Sequence, residues 1–150
     1  MTIYFYSTRE EPYGCFSNFS AHGFELDGCW WSTSEHYFQA QKFITTDPDW
    51  FEQVKAVESP MKAANMGRSR QHPMRADWEA IKDQVMYQAV LAKFTGNSEI
   101  QKVLLNTDEE EIIEKALGDY YWGCGKDGSG QNKLGQILMR VRAEIKDGKA

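Results

Sequence analysis

Cysteine is scarce and unpatterned in this chain. Cys15, Cys29 and Cys124 are odd in number and lack CxxC spacing. That excludes a disulfide framework or a zinc ribbon and fits a reducing cytoplasm. A basic excess is also missing: 17 Lys and Arg stand against 22 Asp and Glu, for a net charge of −5. Nucleic acid would therefore have to be held by a local patch, not by bulk charge. No stretch approaches the roughly 20 apolar residues of a membrane span. Met1-Thr2-Ile3-Tyr4-Phe5-Tyr6 lacks the basic start of a signal peptide, so the expected location is cytoplasmic, away from membranes. Neither a Walker A nor a GxGxxG motif occurs, and no repeat, linker or low-complexity tract divides the chain. His36 and His72 have no partner at a metal-ligand spacing, so no metal site is expected.

Aromatic residues, by contrast, are plentiful. They make up 13% of 150 residues and include five tryptophans, which suits one globular domain with a real core. The most organised stretch is Thr33-Ser34-Glu35-His36-Tyr37-Phe38-Gln39-Ala40-Gln41-Lys42-Phe43. It reads as a helix opened by Ser32, with Glu35 three residues on as a capping box. At about 100° per residue, Glu35 and Lys42 fall roughly 20° apart on the wheel with Gln39 beside them. Phe38 and Phe43 flank that stripe, and Tyr37, Ala40 and Ile44 face the other way. A helix apolar in several directions is normally covered by protein. The polar stripe then either lines a pocket as a carboxylate–amine pair, or consists of a capping Glu35 and a Lys42 that snorkels to water.

Around it the pattern is mostly helical. Ile3 to Ser7 reads as a strand, and Phe24-Glu25-Leu26 and Cys29-Trp30-Trp31 flank an Asp27-Gly28 hairpin turn. Asp47-Pro48 and Ser59-Pro60 each read as a cap with proline at the first helical position. Asp77 is expected to cap a helix carrying Trp78, Ile81, Val85, Met86, Ala89 and Phe94, and Ser98 another. Ile112 to Leu117 suits either a strand or a helix, with the strand preferred, and Asn132 caps a final helix. The fold class is mainly α with a small β element near the N-terminus, in one domain spanning residues 1–150.

Three further clusters are chemically suggestive. Arg68, Arg70 and Arg75 would suit phosphate oxygens, or form a solvated basic loop. Gly118-Asp119-Tyr120-Tyr121-Trp122-Gly123 joins a carboxylate to stacking rings and glycines, or is a turn whose aromatics plug the core. Gly128 to Gly135 runs into a helix N-terminus, where free amides attract anions.

The long helical stretch resembles the signature of the YbiA-like, or NADAR, family. So do Phe16-Ser17-Asn18-Phe19, Ser59-Pro60-Met61 with Met66-Gly67-Arg68, Asp119 with Tyr121-Trp122-Gly123, and Asn132-Lys133-Leu134-Gly135. The resemblance implies a single α-rich YbiA-like domain that hydrolyses N-glycosidic bonds without metal or organic cofactor. Glu35 matches the catalytic carboxylate, Lys42 a lysine able to attack the sugar C1, and Asp119, Trp78 and Trp122 positions at the site. Arg68 and Arg70 would take phosphate. Asn18, Gln39, Gly123 and Asn132 fall in matching blocks and are expected at the substrate. Two substrate classes follow: phosphorylated ribosylamino-pyrimidine intermediates of riboflavin synthesis, and ADP-ribose attached to guanine. A non-catalytic ADP-ribose-binding module is the remaining alternative, and no stable protein partner is implied. One position departs from the pattern: Cys124 stands where an acidic residue would follow the Trp-Gly pair.

Overall fold

A computed structural model describes residues 1–149. Its centre is α1 (Ser34–Gln41), and all eight of its residues are buried. The helix begins one residue later than its sequence suggests. Thr33, not Ser32, is the cap: its Oγ1 accepts the His36 backbone N–H at 3.1 Å and lies 2.8 Å from His36 Nδ1. His36 therefore takes the capping-box position, and Glu35 is released from it. α2 (Pro48–Ala56) and α3 (Pro60–Gly67) start as expected, on Asp47 and Ser59, whose side chains accept the N–H of Trp50 and Lys62. These helices and α4 (Trp78–Thr95) enclose α1. Burying Tyr37, Phe38 and Phe43 in that enclosure contributes roughly 2 kcal/mol each.

α4 also packs on α6 (Lys133–Lys146) and on the shorter α5 (Ser98–Leu105). Two expected caps behave differently here. Asp77 precedes α4, but its carboxylate takes both forks of Arg75 at 2.7 and 3.1 Å instead of a helix amide. α5 is preceded by Asn97, one residue before Ser98. Its amide ties the end of α4 to the hairpin by donating to Lys93 and Gly23 carbonyls.

The β structure forms two separate pairs. β2 (Phe24–Leu26) and β3 (Cys29–Trp31) are the expected hairpin, with Asp27 and Gly28 at φ 56° and 78°, the left-handed pair its turn requires. β1 (Ile3–Phe5) pairs in parallel with β4 (Ile112–Glu114), so the β element is not confined to the N-terminus. Its register sets Phe5 opposite Glu114. β4 ends at Glu114, shorter than the expected strand to Leu117. No helix among the described residues is long and apolar enough to cross a membrane.

The glycine loop is stitched to the start of α6. Backbone N–H groups of Gln131, Asn132, Lys133 and Leu134 donate to carbonyls of Tyr120, Gly123, Tyr121 and Trp122 at 2.9–3.1 Å. The amides that the sequence offers to an anion are thus consumed by the loop. Gly123 is required by closeness: a Cβ there would lie 2.7 Å from the Ala116 Cβ.

Candidate active site

α1, the start of α4, β4 and the glycine loop surround a cleft of about 470 Å³. That is within the usual range for a small-molecule site. Glu35, Gln39 and Lys42 line it along one side of α1, as the wheel requires. Glu35 Oε2 accepts the Gln39 amide at 2.7 Å, and its backbone N–H donates to the Asn18 carbonyl at 3.2 Å. Gln39 Oε1 is buried without a partner and presses on Gly67, where a Cβ would sit 1.9 Å from it. Gly67 is therefore what allows Gln39 to reach Glu35.

Lys42 extends from the end of α1 between aromatic walls. Its Nζ lies 5.9 Å from the Phe38 ring centre and 5.7 Å from that of Trp78, and donates to the Gly67 carbonyl at 3.2 Å. Phe38 meets Trp78 and Trp122 edge-on at 5.0 and 5.4 Å. Trp78 is 4% exposed, so it both packs in the core and walls the cleft, whereas Trp122 is only half-buried.

Burial pushes the Glu35 carboxyl above its ordinary range, against the Gln39 hydrogen bond and the charges of Lys42 and Arg68. Burial pulls the Lys42 ammonium below its ordinary range, with Glu35 acting in the opposite sense. Each shift favours the uncharged form. A carboxyl with a raised proton affinity can accept a proton and return it, and an amine that can lose its proton can attack an electrophilic carbon.

Asp119 also lines the cleft. One carboxylate oxygen accepts the N–H groups of Tyr121 and Trp122 at 3.0 and 2.8 Å, which makes the turn, while the residue lines the cleft. Tyr121 turns outward, bonding Asp83 under the Lys82 ammonium. The Asn18 carbonyl and Oδ1 bind Ser34 and α1, while its Nδ2 meets only the Met86 sulfur at 3.4 Å. A nitrogen donor with so weak an acceptor remains available to a ligand.

Arg68 lines the same cleft, held at Asn65 Oδ1 by Nη1. Arg70 does not. It borders a second cleft of about 480 Å³ that shares Lys42 and Arg68 with the first and includes His72, which stacks on Trp50 at 3.8 Å. Arg75 is committed to Asp77. Gly123 and Asn132 lie behind the cleft wall: Asn132 donates to the Ile112 carbonyl and accepts the Glu114 N–H, both at 2.9 Å. Cys124 donates its backbone N–H to the Glu114 carbonyl and is likewise outside the lining.

Glu114 was invisible as a site residue in the sequence, where it reads as mid-strand polarity. It lines the cleft from β4. The only hint was its place two residues after Ile112, which puts both side chains on one strand face.

Fold and cleft together define the class: an α-rich, single-domain enzyme whose acid and amine share one pocket. A family model described as the NADAR domain matches residues 4–146, and the chain belongs to the NADAR family. It is 48% identical to the N-glycosidase YbiA of Escherichia coli, over 95% of this chain and 88% of that protein. It is 45% identical to an N-glycosidase of Nostoc punctiforme, over 98% and 94%. A chloroplastic riboflavin biosynthesis protein of Zea mays, PYRR, is 39% identical over 95% of this chain but only 25% of its own length. The NMR structure of E. coli YbiA superposes with a TM-score of 0.89 at 46% identity, covering 99% of this chain and 89% of that one.

Proposed function

We propose that this N-glycosidase hydrolyses the C–N bond between C1 of a 5-phosphorylated ribose and an amino-pyrimidine, as in the phosphorylated intermediates of riboflavin synthesis. The observation that carries this reading is the shared cleft: Glu35 and Lys42 open on one cavity with indole rings and the Arg68 guanidinium. Relatives named for riboflavin biosynthesis in Zea mays and Vibrio vulnificus support the substrate class.

C1 of a ribosylamine is an N,O-acetal, so breaking its C–N bond requires a proton on nitrogen and relief of positive charge at C1. Lys42, in its neutral form, attacks C1 and forms an imine with the opened sugar, replacing one difficult step with two easier ones. Glu35 takes the proton that the amine sheds and returns it during hydrolysis. Asp119 stabilises the developing cation electrostatically. Arg68 receives the phosphate, Asn18 Nδ2 a sugar hydroxyl, and the half-buried Trp122 stacks on the base. The steps are redox-neutral, and water supplies the oxygen that replaces the base at C1. The working compartment is the reducing cytoplasm, where Cys15, Cys29 and Cys124 stay free.

A second reading is favoured by the adjoining cleft. Arg70 extends the cationic wall beyond Arg68, giving room for the longer diphosphate of ADP-ribose on guanine. A panel decides between them: release of ribose 5-phosphate from the ribosylamino-pyrimidines against release of ADP-ribose from modified guanine in nucleotide, DNA and RNA. The first reading expects kcat/KM at least 100-fold higher on the small substrates. The reverse preference establishes the second, and tight ADP-ribose binding with no turnover on any member would leave only a binding module.

A further inference from the structure

The cleft contains one carboxyl that these steps leave unused. Glu114 reaches it from β4, not from the helix that carries Glu35. Its backbone is fixed on both sides, since its N–H donates to Asn132 Oδ1 at 2.9 Å and its carbonyl accepts the Cys124 N–H at 3.0 Å. On the paired strand, Phe5 is fully buried, so the strand position cannot drift. Yet among the described residues the Glu114 carboxyl itself has neither a hydrogen-bond partner nor an ion pair. A half-buried carboxyl that lines a cleft with no protein partner is free to meet a ligand there.

Glu35 differs on each count. Its Oε2 is engaged by Gln39, and it lies on the same side of α1 as Lys42. One carboxyl cannot both accept the proton leaving the amine and deliver a proton to the departing base in the same step. Two carboxyls reaching one cleft from separate elements can.

Resting on the proposed N-glycosidase chemistry, we infer that Glu114 is the catalytic acid that protonates the leaving nitrogen, while Glu35 serves the Lys42 amine. As the C1–N bond breaks, its electron pair moves to nitrogen, which takes the Glu114 proton. The Lys42 lone pair forms the new bond to C1, and the amine's proton passes to Glu35. The C1–O4 bond then opens, its electron pair stays on O4, which takes that proton back from Glu35, and the Lys42 nitrogen's pair completes the imine. The water that later cleaves the imine gives its oxygen to C1 and returns a proton to Glu114. Burial, with the neighbouring charges of Asp119 and Glu35, pushes the Glu114 carboxyl up to about 7, so it holds a proton near neutral pH. Asp119 belongs to the loop, and one of its carboxylate oxygens is tied to two backbone amides.

The test uses Glu114→Gln and Glu114→Ala enzymes with the ribosylamino-pyrimidine phosphate and with 5-phosphoribosyl anilines of graded basicity. Glu114→Gln should lose roughly 100-fold or more in kcat on the parent substrate, the range for general acid catalysis. That loss should shrink towards the 4-nitroaniline, which departs without help, and formate should restore part of the Glu114→Ala activity. An undiminished kcat, or a loss that neither leaving group nor formate changes, overturns the assignment of Glu114 and leaves the N-glycosidase reading intact. A wild-type enzyme that frees no base from any ribosyl substrate overturns both.

Discussion

Two lysines stand on two packed helices, and burial depresses both. Lys93 of α4 is 1% exposed, its Nζ donates to the Ser17 carbonyl at 2.9 Å, and burial lowers its ammonium to about 7. Lys42 of α1 is partly exposed, donates to the Gly67 carbonyl and faces a cleft that a ligand can enter. Lys93 is sealed in the core, whereas Lys42 shares an open cleft with the Glu35 carboxyl. The same desolvation is thus a stability cost at one place and a source of nucleophilic amine at the other. Access and a proton acceptor separate a catalytic candidate from a buried charge.

Substitutions at the two lysines should therefore have opposite signatures. The largest expected effect is that of Lys42→Ala, which should lower kcat by roughly 1,000-fold or more while leaving the melting temperature within a few degrees of wild type. Steady-state release of ribose 5-phosphate and thermal melting check both parts. If Lys93→Met were equally inactive and Lys42→Ala merely unstable, the contrast would be reversed.

The second effect concerns stability and pH. Unfolded, Lys93 keeps its proton to roughly pH 10.4, but in the fold it loses it near 7. Between those values the unfolded chain binds more protons, so this residue's contribution makes stability rise with pH. Below about pH 7 both states are protonated and the penalty is at its full size. Relative to Lys93→Met, wild type should gain a few kcal/mol between pH 7 and pH 10, measured by urea denaturation across that range. Parallel curves for the two proteins would show that Lys93 does not titrate in this window.

Smaller effects sharpen the account of the cleft. Gly67→Ala places a methyl group on the Gln39 amide and should lower kcat about tenfold by shifting Glu35, with little change in KM. An unchanged kcat would mean that the Gln39–Glu35 hydrogen bond does not position the acid. Cys124→Asp restores the acidic residue that the family pattern suggests, yet its position lies outside the cleft lining. It should alter kcat/KM less than about threefold on any substrate of the panel. A large change in preference would show that the wall behind the cleft sets specificity.

Local signals in the sequence carried the helices and much of the cleft. The caps of α2 and α3, the Asp27-Gly28 turn and the stripe of Glu35, Gln39 and Lys42 all depend on neighbours a few residues apart. The larger failures share a cause, which is pairing between distant segments. β1 joins β4 across more than 100 residues, and only that register brings Glu114 to the cleft. The amides before α6 look free in the sequence because their acceptors, the carbonyls of the glycine loop, are recruited by folding. Asn132 fits a matching block but spends its side chain on β4, and Asp77 spends its own on Arg75. The cap at Thr33 was missed by one residue because Ser32 and Thr33 are equally able to accept an amide; burial of Thr33 decides between them.

The central claim is that the amine of Lys42 becomes covalently joined to the sugar during turnover. Borohydride added to wild-type enzyme working on a ribosylamino-pyrimidine phosphate, followed by peptide mass spectrometry, tests it directly. The expected product is one reduced pentose phosphate, without its base, on the peptide containing Lys42, and none in Lys42→Ala. An enzyme that turns over normally while Lys42 remains unmodified, or that carries the sugar on another lysine, would contradict the account.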